Sequence, residues 1–138
     1  MLAPSVALGH ALGRIGCLLN GCCYGKPTSL PWAVHYPQGH ETFDAGVHPT
    51  QVYEALLNLG LYAALAWFFR RRTFDGQVFA VYLAAYAVVR AFVEMFRGDY
   101  STYYFGGRAT AAHLISAVVF AAGLMLYRTL APRTAPRP

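Results

Sequence analysis

Charge is what this 138-residue chain has least of. Asp, Glu, Lys and Arg make up 12% of it, against about 25% in an ordinary soluble domain, while 57% is hydrophobic. So few charges cannot coat a soluble surface, and long uncharged runs are what a bilayer selects. Acids are the scarcer sign, six against eleven Lys and Arg, for a net charge of +5. No basic stretch precedes the first apolar residues, so they do not read as a secretory signal. No internal repeat is evident, and the cysteines form no C-x-x-C pair.

Three long apolar runs are present, over residues 49–69, 76–95 and 109–127. Each approaches the ~20 residues that span a ~30 Å hydrocarbon core. A fourth run, 2–20, is weaker, because it holds Pro4, His10, Arg14 and the four-residue-spaced Gly9 and Gly13. It is open to spanning, tilting or entering only partway. The expected fold is all-α, a polytopic transmembrane bundle of about four helices with an irregular outer loop.

Arginines orient the bundle. Arg70, Arg71 and Arg72 follow 49–69, the second run in chain order, and Arg128, Arg133 and Arg137 follow the last. Both places are expected to face the cytoplasm, which puts the loop of about 21–48 and the turn 98–108 outside. The positive charge is read as topology and lipid-headgroup contact, not as nucleic-acid binding. The outer loop carries Pro27, Pro31 and Pro37 and reads as irregular, with one short strand over WAVHY, 32–36. Residues 1–127 form the expected membrane domain. Residues 128–138, ending APRTAPRP, read as a disordered basic cytoplasmic tail.

Ionisable residues inside spans are costly and are site candidates by default. Tyr86, Arg90, Glu94 and Arg97 follow one another at intervals of four, four and three, along one helix face. Arg90 and Glu94 are placed to form an intrahelical ion pair, and Arg97 to snorkel to the interface. Packing alone requires neither three charges nor a tyrosine on that stripe. The second run opens HPTQVYE. Pro49 suits a first helical turn, and His48, Gln51 and Glu54 read as an outer cluster beside Tyr53. Arg14 lies among glycines, which permit close backbone approach, and its guanidinium suits bidentate phosphate recognition. The alternative is an arginine paired with Glu54 or Glu94 for structure alone. Together these residues suit an anionic lipid headgroup near the outer face.

In order and spacing, GRIGCLLNGCCYG, HPTQVYE and YAVVRAFVEMFR resemble three motifs of the bacterial prolipoprotein diacylglyceryl transferases, and the likeness runs over residues 2–127. The resemblance implies a multi-pass enzyme of the bacterial plasma membrane with its site toward the outer leaflet. Its partners would be phosphatidylglycerol, the lipobox peptide of a preprolipoprotein and membrane lipids. The diacylglyceryl group would pass to the lipobox cysteine thiol, with no metal or organic cofactor. Arg14, Arg90 and Tyr86 match the family's catalytic positions. Asn20, Gly21, Gly25, His48, Gln51, Tyr53, Glu54, Glu94 and Arg97 match substrate-binding and supporting ones. Family members are roughly double this length, and their N-terminal half carries a His-Gly-Gly motif that has no counterpart here. The chain resembles their C-terminal half.

The usual first signature reads G-R-x-G-N-F-x-N-G-E. Here Cys17 and Leu18 stand for Asn and Phe, and Cys22 stands for Glu. Cys17, Cys22 and Cys23 form C-x4-C-C with no second pair, a spacing that does not point to zinc. No metal ligand is assigned. Small apolar residues filling helix contacts are the plain reading of these cysteines, with a disulfide as the alternative. Two rival functions stay open: a membrane thiol redox protein, and a non-catalytic lipid-binding paralogue.

Overall fold

The computed structural model describes residues 2–42, 44–97 and 110–131. Its described residues form four helices: α1 (Leu2–Asn20), α2 (Thr50–Phe69), α3 (Gln77–Glu94) and α4 (Ala111–Leu130). All four are long and apolar enough to cross a membrane. The weak first run is therefore a full-length helix, with Pro4 in its opening turn, where a missing N–H costs nothing. α4 runs past the expected end of the membrane segment, so 128–130 are helical rather than tail. Residues 132–138 and the turn 98–108 lie outside the described residues.

α1 packs on α2, α3 packs on α4, and α2 joins the pairs through α3. On α1 the buried residues are Pro4 and the alanines Ala3, Ala7 and Ala11. The four-residue spacing of the alanines presents a small-residue face that lets the helices approach. The glycines around Arg14 read as permitting close backbone approach. Among the described residues a Cβ at Gly9, Gly13 or Gly16 would meet nothing within 4 Å, so the glycine face of α1 is open there and the alanine face is the packed one. Leu65, Val78 and Tyr82 join Ala3 and Ala7 in the apolar core near the α2–α3 connection. Outward-facing leucines stay bare, Leu2 at 82% and Leu19 at 84% exposure, as lipid permits and water does not.

α1 stops at a left-handed glycine. Gly21 has φ 73°; its N–H bonds to Leu18 O at 3.2 Å, and the Cys22 N–H reaches back to Cys17 O at 3.1 Å. These are the two reverse bonds of a Schellman stop. The chain then folds over the helix ends. Gly25 N–H donates to His48 O at 2.9 Å, Lys26 N–H to Phe96 O at 2.8 Å, and His48 N–H to Lys26 O at 3.0 Å. WAVHY is not a strand: only Val34 pairs, in an isolated bridge to buried Val47. Pro31 and Pro37 bracket it and deny the ladder donors that an extension would need.

Candidate functional site

The site is built from two ion pairs, one on each helix pair. Packing of α1 on α2 brings Arg14 Nη2 to 3.0 Å from Glu54 Oε1. Glu54 is buried, and Arg14 keeps 21% of its side chain exposed. A buried carboxylate without a counter-charge would be far costlier than the pair. One turn further along α2, Asn58 Nδ2 donates to Glu54 O at 2.8 Å. Asn58 Oδ1 is buried without a partner among the described residues.

The second pair is the expected intrahelical one, Arg90 Nη1 to Glu94 Oε2 at 2.8 Å. The Thr110 hydroxyl, just before α4, donates to the other carboxylate oxygen of Glu94 at 2.7 Å. Glu94 is thus buried with both oxygens engaged, which suits an anchor for Arg90 rather than a proton acceptor. Arg90 and Tyr86 line a cavity of about 340 Å³ between α3 and α4, with Ile115, Ser116 and Val119 opposite. Ser116 aside, its walls are otherwise apolar, and its size falls in the range of small-molecule sites.

Tyr86 links the two pairs. Its ring packs on His10 at 5.0 Å and on Tyr82 at 5.7 Å. Its hydroxyl lies within electrostatic reach of Glu54, Arg90 and Arg14. Arg14, Tyr86 and Arg90, the three expected catalytic residues, therefore share one neighbourhood although they come from two helices.

The opening of α2 does not form the single cluster that its spacing suggests. His48 Nδ1 lies 3.2 Å from the Tyr53 hydroxyl, which also accepts from Trp32 Nε1 at 2.8 Å. The His48 ring packs edge-on against Phe96 at 5.5 Å. Gln51 turns instead to the end of α1, donating to Cys22 O at 2.7 Å and to the Tyr36 hydroxyl at 2.9 Å. Only Glu54 reaches Arg14. Three residues at the opening of α2 have three separate partners, because each faces a different chain segment.

Gly21 and Gly25 have structural reasons to be glycine. Gly21 is the left-handed stop of α1. A Cβ on Gly25 would lie 2.5 Å from His48 Cβ and 2.7 Å from Phe96 O, where the loop threads between them. Arg97, expected to snorkel, is buried at 9% exposure and pairs through its backbone with Gly25. It lies past the end of α3, where the chain has turned back toward the loop.

The three thiols converge at the end of α1. The Sγ atoms of Cys17, Cys22 and Cys23 all lie within 4.8 Å of one another, and all three are free. A hydrogen bond from Asn20 lowers the Cys22 thiol below the ordinary range, whereas burial pushes the Cys23 thiol up. Cys23 holds a left-handed φ of 65°, which costs a side-chain-bearing residue about 1–2 kcal/mol. Thr50 Oγ1 donates to Cys23 O at 2.8 Å and, with Gln51, fixes this backbone.

Reasoning from sequence missed Thr110, His10, Asn58 and the Tyr36–His40 pair. His40 Nε2 lies 2.8 Å from Gly21 O, and its ring stacks on Tyr36 at 4.5 Å, so a side chain far along the loop secures the end of α1. Thr110 had a local signal. It precedes an apolar run in extended backbone, with His113 Nδ1 3.1 Å from its hydroxyl, as a helix-capping residue would. The others carry no pattern that spacing reveals.

Comparison with known proteins follows the same residues. Over 1–129 the chain matches the family model described as prolipoprotein diacylglyceryl transferase. It is similar to the phosphatidylglycerol–prolipoprotein diacylglyceryl transferase of Clostridium tetani, 43% identical over 72% of this chain and 40% of that one. The protein of the same name from Finegoldia magna is 38% identical over 89% and 46%. That from Bordetella avium is 35% identical over 99% and 52%. The chain spans about half the length of the curated relatives it matches.

Proposed function

The chain belongs to the prolipoprotein diacylglyceryl transferase family, and on that premise we propose that it binds phosphatidylglycerol and takes part in transferring its diacylglyceryl group to a lipobox cysteine. The observation that carries this reading is the cavity lined by Tyr86 and Arg90, one wall apolar and one cationic, with Arg14 in reach of the same tyrosine. An apolar groove with a guanidinium at its edge suits a lipid whose acyl part stays in the bilayer phase and whose phosphate needs a fixed counter-charge.

In the proposed reaction the lipobox thiolate attacks the terminal glyceryl carbon of the diacylglyceryl unit. The C–S bond forms as the C–O bond to phosphate breaks, and glycerol 1-phosphate leaves with the electron pair. Negative charge builds on that phosphate, so a guanidinium held in place beforehand lowers the barrier. Glu94, ion-paired with Arg90 and hydrogen-bonded by Thr110, holds the Arg90 head against the α3 face. Tyr86 positions the lipid beside both arginines.

The site is proposed to lie toward the outer leaflet. Arg70, Arg71 and Arg72 follow the far end of α2 from Glu54, where Arg71 sits 4.5 Å over Trp67 and Arg72 4.0 Å over Phe69. Basic residues with aromatic partners at that end support a cytoplasmic interface there. Residues 1–127 would then be the membrane domain, with 21–48 as its outer loop.

The test is transfer from labelled phosphatidylglycerol to a lipobox peptide by the complete gene product in membranes. Arg90→Ala is expected to lower kcat by about 10²–10³-fold, the loss of one preformed donor to developing charge, and Arg90→Lys should not restore it. Transfer that survives Arg90→Ala unchanged, or no transfer by the unaltered product, overturns the reading.

A further inference from the structure

We propose that Cys17, Cys22 and Cys23 form a three-thiolate binding site for a soft, thiophilic cation such as Zn²⁺ or Cu⁺ at the C-terminal end of α1. The site is independent of the transfer reaction. Its spacing, C-x4-C-C, looks wrong for a metal only when read along a helix or a knuckle. A Schellman stop brings the third-from-last helical residue against the second residue past the cap. In this chain those two are Cys17 and Cys22, joined by the reverse bond at 3.1 Å. The next residue, Cys23, adopts φ 65° and so turns its own side chain back to the same place. Strained backbone at a non-glycine residue is kept where a site needs it.

The result is three Sγ atoms mutually within 4.8 Å. Sulfurs on one tetrahedral ion at Zn–S of about 2.3 Å stand about 3.8 Å apart. Side-chain rotation of about 1 Å therefore closes the set, with no movement of the main chain. That main chain is already held, Cys22 O by Gln51 and Cys23 O by Thr50. The thiol of Cys22 lies 3.7 Å from Cys17 O and has only that weak bond and its neighbours in the cluster and Asn20 to give up.

The surroundings suit the ion. The C-terminal end of a helix carries partial negative charge and favours a cation. Three thiolates around a divalent ion leave a net charge of −1. Arg14 interacts electrostatically with Cys17 and Cys23, and Arg97 with Cys23, so this charge has compensation at hand. His40 is not the fourth ligand, since its Nε2 is engaged by Gly21 O and its Nδ1 by Thr42. The fourth position is left to solvent or a small thiol, and a trigonal Cu⁺ site needs none.

The experiment uses the full chain purified under a metal-free reductant and titrated separately with Cd²⁺ and with Cu⁺. One equivalent of Cd²⁺ is expected to raise a thiolate-to-metal charge-transfer band that Zn²⁺ then abolishes, and to protect all three cysteines from alkylation. Cu⁺ held in that way without Cd²⁺ binding assigns the site to the monovalent ion. Cys17→Ser, Cys22→Ser and Cys23→Ser should each weaken binding by at least about 100-fold, more than losing a group behind a ligand costs. His35→Ala, outside the cluster, should leave it unchanged. No band with either ion, or protection of fewer than three thiols in the unaltered chain, overturns the proposal. Those readings do not depend on the serine variants folding.

Discussion

Replacing the Arg14–Glu54 pair tests whether Arg14 only holds the helices together or also serves the lipid. At 3.0 Å and an effective dielectric of about 20, the Coulomb attraction is about 5–6 kcal/mol, and much of it offsets the desolvation of Glu54. Glu54→Leu removes the counter-charge and leaves Arg14 partly buried beside an apolar side chain. Breaking a buried pair on one side costs about 3–5 kcal/mol. Since Arg14 is 21% exposed, the lower end, about 3 kcal/mol, is expected. Arg14→Met alone strands a carboxylate that is almost wholly buried, so it should cost as much or more. Glu54→Leu is the matching single variant, and the double variant Arg14→Met, Glu54→Leu replaces both charges with apolar groups of similar volume, which is often neutral. The assay is a double-mutant cycle by thermal unfolding in lipid nanodiscs, run beside transfer from labelled phosphatidylglycerol. Stability should return in the double variant while transfer stays lost. Transfer recovered together with stability would reduce Arg14 to a structural role. A coupling below about 1 kcal/mol would refute the ion-pair reasoning itself.

Three further outcomes follow from the geometry. Ala112→Trp fills the cavity beside Arg90 and should raise KM for the lipid at least about tenfold with folding intact, read by transfer kinetics against unfolding temperature. Gly25→Ala should destabilise the chain by about 3 kcal/mol or more, since its Cβ would meet His48 and backbone rather than a flexible side-chain tip. In metal-free protein Cys22 should alkylate at lower pH than Cys23, because the Asn20 hydrogen bond lowers one thiol and burial raises the other. The thiolate reacts, so a lowered value moves the rate profile of Cys22 to lower pH and Asn20→Ala should move it back up. Mass spectrometry of labelled peptides across pH reads the order.

Some of the site was legible because it is local. Arg90 and Glu94 are four residues apart on one helix, so their pairing follows from helical geometry alone. The partner of Arg14 was not so determined. Glu54 and Glu94 were equally available by sequence, and the choice fell to the packing of α1 on α2. The Glu94–Thr110 bond depends likewise on how α4 meets α3. The glycines around Arg14 did not mark the packed face for the same reason: small residues permit contact, but the neighbour decides which face receives it, and α1 turned Ala3, Ala7 and Ala11 inward.

The sequence by itself determined three of the four apolar helices, because a span needs only length and few charges, and both are countable, while the first run stays open. It also carried the family through three motifs whose order survives in the chain. Only the tertiary structure decided which polar groups meet. The glycine stop at Gly21 brought the thiols of Cys17, Cys22 and Cys23 into one cluster. Packing across two helix pairs put Arg14, Tyr86 and Arg90 in one neighbourhood. Distances between elements follow from packing and turn geometry, and neither is a property of residue spacing along the chain.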